Sequence, residues 1–418
     1  MTVDLAALGA TLDERLRHAD ADLAARFPGE RPVRQPVHTV YVPADRYDSE
    51  LVGRWRTEAV AALDEHGGGA DGVADAFGLP PTLAADLLQR VRDKLEREAI
   101  EDLRIDFEDG YGARSDKEED AAVQAAAAAL LRAVDAGTAT AFNGIRFKSF
   151  EAPTRQRGLR TFARFAEAVT RDGRLPDGFV VTFPKVTSVD QVEAMVVACE
   201  QLEQGVGLAP GAIRFEIQVE TPQAIGGPDG TALVARMVHA SSGRCTSLHY
   251  GTYDYSASCG IAAAYQSMEH PAADHAKAVM QVAAAGTGVH LSDGSTNVLP
   301  VGDHEQVVAA WRLHGRLVRR SLERGYYQGW DLHPAQLPSR FLATYAFYRE
   351  GLPAAGQRLK NYVGQVDSGV MDEPATARAL SDFVVRALDC GATDEQEVQA
   401  LTGLDRASID RLARRAPA

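Results

Sequence analysis

Carboxylates and cations recur in this sequence where short apolar segments turn polar. Glu220 directly follows one such segment, Asp254 comes shortly after another, and Arg146 lies near the end of a third. Two carboxylates at neighbouring segment ends suit Mg²⁺, a cation that prefers oxygen ligands and keeps water molecules for a substrate to replace. The planar guanidinium of Arg146 can bind a substrate carboxylate through two hydrogen bonds. These residue types predict Lewis-acid chemistry, in which a dication polarises a carbonyl and stabilises an enolate.

The same side chains could instead form salt bridges on the rim of a structural domain. For one residue alone that interpretation is as reasonable as a functional one. For the whole set, the recurrence of charged residues after segment upon segment favours a site.

The segments that position these residues have the pattern of alternating strands and helices. Short apolar runs are each followed by polar or glycine-rich residues and then by a stretch with helical periodicity. This pattern predicts a parallel α/β fold, namely a (β/α)₈ TIM barrel, with an open doubly wound sheet as the alternative. In a barrel the carboxyl ends of the strands meet on one face, so the charged residues would converge there. The predicted strands are 38–42, 103–107, 144–147, 179–183, 213–219, 247–250, 288–291 and 329–332.

The length of 418 residues exceeds the roughly 250 of a simple barrel. Helical periodicity and proline positions predict a helical N-terminal extension over 1–36 and a barrel over 37–340, with a helical insertion at about 46–100. A C-terminal helical appendage, or lid, is predicted over 341–418.

Composition excludes several classes of protein. The net charge of −14 disfavours nucleic acid and anionic membranes as partners, and no apolar run is long enough to span a bilayer. The four cysteines lack the paired spacing of a zinc site or a disulfide framework. We therefore expect a cytoplasmic protein that acts on small molecules.

Seven short motifs occur in series with the spacing of barrel strands. Together they are similar to the HpcH/HpaI aldolase family, in its citrate lyase β and malyl-CoA lyase branch. The motifs are His-Thr-Val-Tyr-Val-Pro-Ala-Asp-Arg at 38–46, Ile-Asp-Phe-Glu-Asp at 105–109, Ile-Arg-Phe at 145–147, Phe-Pro-Lys-Val at 183–186, Val-Glu-Thr at 219–221, Tyr-Gly-Thr-Tyr-Asp-Tyr at 250–255 and Leu-His-Pro-Ala-Gln at 332–336.

This resemblance implies a role for each matching residue. Mg²⁺ would be held by Glu220 and Asp254, with Glu108 and Asp109 close to the metal through water, while Arg146 would hold the carboxylate of a 2-oxo acid. The segment 369–374 resembles a lid motif, in which Asp372 would be the general acid/base and would reach the barrel of a neighbouring subunit. A homo-oligomer, commonly a trimer, would then be required for activity.

Other residues complete the predicted site. We assign catalysis to Asp372, Arg146 and Glu108, and substrate binding to Arg146, Lys148, Asp109 and His333. Lys148 adds a second cation, which could bind another carboxylate or a phosphate, and we expect His333 to brace the site by hydrogen bonding.

The predicted function is that of a Mg²⁺-dependent carbon–carbon lyase, with Mn²⁺ as an alternative metal. It would join or split a 2-oxo acid, such as glyoxylate, pyruvate or oxaloacetate, and an enolisable partner such as an acyl thioester. The insertion leaves open whether a CoA thioester, a free acid or a phosphorylated substrate is used. A malyl-type thioesterase and a non-catalytic subunit that binds 2-oxo acids are the alternative functions.

Overall fold

Eight parallel strands, each followed by at least one helix, form the centre of the molecule. The computed structural model describes residues 3–364 and 373–413. Consecutive strands from β1 to β7 pair in parallel, and β8 pairs in parallel with β1. The strands are β1 His38–Pro43, β2 Asp102–Asp106, β3 Phe142–Arg146, β4 Phe179–Phe183, β5 Phe215–Val219, β6 Cys245–Tyr250, β7 His290–Ser292 and β8 Gly329–Asp331.

The barrel is closed between β7 and β8. A parallel bridge joins Ser292 to Gln328, and the backbone N–H of Asp293 donates to the carbonyl of Gln328 at 2.8 Å. The prediction of a (β/α)₈ barrel is therefore confirmed, and the open doubly wound sheet is wrong.

Helices surround the barrel and extend the chain beyond it. The helix α1 precedes the first strand, α2 to α4 form the predicted insertion, and α13 to α16 follow the last strand. The helices are α1 Leu5–Arg26, α2 Leu51–His66, α3 Gly69–Phe77, α4 Pro81–Glu98, α5 Asp116–Asp135, α6 Arg155–Val169, α7 Val189–Val206, α8 Pro222–Ile225, α9 Leu233–Ala240, α10 Thr252–Ser258, α11 Pro271–Ala284, α12 His304–Glu323, α13 Gln336–Val363, α14 Pro374–Cys390, α15 Glu395–Thr402 and α16 Arg406–Leu412.

The apolar core lies between the strands and the surrounding helices. Ile105, Ile145 and Ile217 on the strands are fully buried together with Phe162 and Phe165 on α6. Such residues alternate with polar ones along β2 and β5, because successive side chains of a strand point to opposite faces. The barrel interior is accordingly polar.

A buried ionic network fills the lower part of this interior. Arg104 on β2 donates to Glu216 on β5 at 2.8 Å and also pairs with Asp102, while His249 lies 3.1 Å from Glu216. Because a buried charge is stable only with a partner, these groups fix the relative positions of the strands that hold them.

The C-terminal helices pack partly on the insertion and partly on one another. A separate apolar cluster joins Leu359 of α13 to Val384 of α14, Val398 of α15 and Ile409 of α16. The helix α13 is continuous from Gln336, so it crosses the boundary predicted after residue 340. Within the described residues, no helix has the length and apolar character needed to cross a membrane.

Candidate active site

Glu220 lies at the carboxyl end of β5, inside the barrel mouth, where its side chain is buried. Its Oε1 accepts a hydrogen bond from the backbone N–H of Lys185 at 2.7 Å, and its Oε2 accepts one from Gln218. Gly251 gives the carboxylate its space, because a Cβ at that position would lie 2.5 Å from the Cβ of Glu220. The hydrogen bonds from Lys185 and Gln218 hold the carboxylate of Glu220 in one orientation.

The ammonium of Lys185 occupies the centre of the carboxylate cluster. Its Nζ lies 2.7 Å from Glu108, 2.8 Å from Asp109 and 3.5 Å from Asp254. The backbone of Lys185 is left-handed, with φ of 52°, which is uncommon for a residue that carries a Cβ. In this conformation the backbone N–H of Lys185 donates to Glu220, while its side chain contacts the other three carboxylates.

Asp254 lies in the first turn of α10, after β6. Its side chain is 45% exposed, in contrast to the buried Glu220 and Glu108. The cluster therefore has a buried side and a side open to solvent, as a site that exchanges small ligands requires.

Arg146 ends β3 and is buried, with its guanidinium 4.9 Å from the centre of the Tyr41 ring. Its Nε and Nη2 donate to the two oxygens of Asp106, both at 2.7 Å. The remaining Nη1 is directed towards Gln218, at 3.4 Å, and Glu108, at 3.6 Å. One edge of the guanidinium is thus already paired, and the Nη1 side faces the carboxylate cluster.

The other predicted site residues are placed differently. Lys148 donates to the carbonyl of Phe107 at 2.6 Å and to Glu119 at 2.8 Å, so its charge is paired with a carboxylate outside the cluster. His333 follows β8, and its Nδ1 accepts from the backbone N–H of Ala335 at 3.2 Å. Burial lowers its pKa, which favours the neutral imidazole. Asp372 lies outside the described residues.

Burial and neighbouring negative charges disfavour the ionised forms of the buried carboxylates in the cluster. Burial raises the pKa of Glu108 to about 7, and the neighbouring Asp109 adds to this effect. The pKa of Glu220 is raised well above its usual range by burial and by the charges of Asp254 and Glu108. Burial opposes the charge on Lys185, but the carboxylates of Glu220 and Glu108 raise its pKa, so the ammonium is retained.

These properties fit a hard divalent cation. The donors are carboxylate oxygens, and Lys185 shows that a positive group is stable where Glu108, Asp109 and Asp254 converge. Within residues 3–364 and 373–413, no three His, Cys, Asp or Glu side chains are arranged as a ready-made metal site. Mg²⁺ typically binds through only one or two carboxylates, with water and substrate completing its shell, so a site of this kind does not require three protein ligands.

Sequence reasoning left out three residues that shape the site: Asp106 as the partner of Arg146, Gln218 as the link from Arg146 to Glu220, and Gly251. The sequence does indicate the position of Gln218. Glu216, Gln218 and Glu220 alternate with apolar residues, so they share the inward face of β5 and its continuation. No comparable signal marked Gly251.

The barrel and its mouth define a (β/α)₈ protein with a cluster of carboxylates around Lys185 at the carboxyl ends of the strands. The chain belongs to the family described as a domain of unknown function, DUF6986, whose model matches residues 16–416.

Among characterised proteins, the chain is similar to the L-malyl-CoA/β-methylmalyl-CoA lyase of Haloarcula marismortui, at 34% identity over 110 residues. The match covers 26% of this chain and 29% of that lyase.

Two solved structures are also similar to this chain, at low identity. The CitE protein of Mycobacterium tuberculosis in complex with magnesium, acetoacetate and coenzyme A has 17% identity and a TM-score of 0.48, over 86% of this chain and 99% of that one. The magnesium/glyoxylate complex of Haloferax volcanii malate synthase has 13% identity and a TM-score of 0.48. The match covers 91% of this chain and 98% of the synthase. The match to a malyl-CoA lyase over part of the chain confirms the resemblance to the citrate lyase β and malyl-CoA lyase group that the motifs predict.

Proposed function

We propose that this protein is a Mg²⁺-dependent carbon–carbon lyase of the aldol or Claisen type, acting on a 2-oxo acid and an enolisable partner such as an acyl thioester. The observation that carries the proposal is the convergence of Glu108, Asp109 and Asp254 around one cation position. Glu220 lies beside it, bonded to the backbone N–H of Lys185, and Nη1 of Arg146 lies 3.6 Å from Glu108. The lyase relative, which is similar over part of the chain, supports the same chemistry.

In this proposal Glu220 and Asp254 hold the metal, which when bound supplies a Lewis acid that polarises the carbonyl of the 2-oxo acid. Arg146 orients the substrate carboxylate through Nη1, which now lies near Gln218 and Glu108, while Asp106 fixes the guanidinium plane. Glu108, whose pKa is raised to about 7, can hold or release a proton beside the position of the Lys185 ammonium. The roles of Lys148 and His333 are then to support the loops around the mouth.

Asp372 completes the proposal as the general acid/base that removes a proton from the enolisable partner. It belongs to a lid supplied by a neighbouring subunit, so that the active form is a homo-oligomer. Closure of the lid would keep water from protonating the enolate.

Glu220→Gln tests the metal ligand. Mg²⁺ binding, measured by calorimetry on the full chain, should weaken by more than tenfold, because a neutral amide replaces a buried anionic ligand. Glu269→Gln is the control, since Glu269 pairs with Arg316 on the surface and makes no contact with the cluster. Unchanged Mg²⁺ affinity in Glu220→Gln would contradict the assignment.

The reaction is tested by product analysis with Mg²⁺ and a panel of malyl-type, citramalyl-type and citryl-type thioesters. Release of glyoxylate, pyruvate or oxaloacetate is the expected result. Release of a free hydroxy acid alone would instead identify a thioesterase. Binding of a 2-oxo acid without any turnover would identify a non-catalytic binding protein.

A further inference from the structure

The N-terminal helix α1 carries an apolar stripe that no described residue covers. Leucines at positions 5, 8, 12, 16 and 23 are 46–75% exposed, and none of the 22 residues of the helix is buried. At about 100° per residue, these leucines and Ala19 fall within an arc of about 80°. A stripe this narrow over six turns is typical of a helix that packs against one other helix.

The spacing of the stripe supports this interpretation. Leu5 and Leu16, Leu8 and Ala19, and Leu12 and Leu23 are each separated by eleven residues. An eleven-residue apolar period keeps the stripe facing a partner helix along the whole length of both helices. A helix that packs on the curved surface of its own barrel needs no such regular period.

Within the described residues, the chain is attached to the barrel domain just after the C-terminal end of α1. The ring of Phe27 packs edge-on against His239 at 5.3 Å, and the backbone N–H of Gly29 donates to the carbonyl of Gly286 at 2.8 Å. The helix extends from this attachment with its leucines exposed. An isolated helix gains little stability without packing, so the stripe needs a partner.

We propose that α1 pairs in parallel with α1 of a second copy of this chain. Charge favours this partner and this direction. Asp13 and Asp20 lie on one flank of the stripe, whereas Arg15 lies on the other. Parallel pairing brings the flank with Arg15 of each copy against the flank with Asp13 and Asp20 of the other, so that unlike charges meet beside the stripe. Antiparallel pairing would bring the flank with Asp13 and Asp20 against itself.

Disulfide trapping tests the direction of pairing. In parallel pairs a stripe residue faces its own copy, so Leu12→Cys should form a cross-linked dimer under mild oxidation. The experiment uses the full chain with the exposed Cys259 replaced by serine. Ala10→Cys, on the opposite side of the helix, is the control and should not cross-link. Failure of the Leu12→Cys variant to cross-link would overturn the proposal.

Sedimentation velocity tests the surface itself. The triple substitution Leu8→Glu, Leu12→Glu and Leu16→Glu should lower the sedimentation coefficient of the assembly, whereas glutamates at Ala7, Ala10 and Ala21 should not.

A charge swap tests the flanks of the stripe. Arg15→Asp should weaken association at low salt, and the added substitution Asp20→Arg should restore it. A wild-type chain that sediments like the leucine variant would contradict the proposal, as would a charge swap without rescue. Neither result depends on the metal site or on turnover.

Discussion

At the scale of single residues, Lys185 contacts three carboxylates of the site at once. It neutralises carboxylates that a metal ion would also bind, so the ammonium and Mg²⁺ compete for the same negative potential. We expect Lys185→Met to tighten Mg²⁺ binding by about tenfold, or about 1.4 kcal/mol. That is a fraction of the Coulomb energy of two charges about 4 Å apart at an effective dielectric constant of about 20.

The measurement is calorimetric titration of the full chain with Mg²⁺, with Lys148→Met as the matched control. Lys148 is also a partly buried lysine near a strand end, but it pairs with Glu119 outside the cluster, so its removal should leave the Mg²⁺ affinity unchanged. Equal effects of the two substitutions would show that Lys185 has no specific relation to the metal position.

At the scale of elements, the ends of β5 and β6 must approach each other closely for Glu220 to enter the barrel mouth. Gly251→Ala would place a Cβ 2.5 Å from the Cβ of Glu220 and 2.8 Å from its Oε2. We expect the free energy of unfolding to fall by about 1–3 kcal/mol, as in other overpacked interiors, and Mg²⁺ binding to weaken with it. Gly226→Ala, where nothing lies within 4 Å of the added Cβ, should change neither quantity in denaturant titration and calorimetry. Wild-type Mg²⁺ affinity in Gly251→Ala would contradict this account.

The elements themselves could largely be predicted from the sequence, because each barrel strand is a short apolar run bounded by turn residues. The predicted strand at 213–219 begins two residues before the observed β5, and the one at 288–291 begins two residues before the observed β7. Such ends depend on turn geometry and strand pairing, which apolar patterning does not encode. The contacts between strands could not be predicted from the sequence. The pairing of Arg146 with Asp106 depends on strand register. The ion pairs of Lys185 depend on the left-handed backbone of that residue.

At the scale of the whole molecule, the buried carboxylates make stability depend on pH and on metal. The folded-state pKa of Glu108 is about 7, above its usual 4.5, so the folded chain binds more protons than the unfolded chain between these values. The free energy of unfolding of the metal-free protein should therefore fall as pH rises from about 4.5 to 7, by on the order of 1–3 kcal/mol from Glu108. Glu220 acts in the same direction, since its pKa is also raised.

Bound Mg²⁺ would stabilise the ionised carboxylates, so its stabilising effect should grow over the same interval of pH. Thermal unfolding between pH 5 and 8, with Mg²⁺ or with a chelator, measures both effects. Other groups also titrate in this range, so the informative quantity is the difference between the wild type and Glu108→Gln. With the chelator, this difference in stability should fall as the pH rises. With Mg²⁺, the fall should be smaller. A difference independent of pH would show that Glu108 is ionised throughout, and the acid–base role proposed for it would then fail.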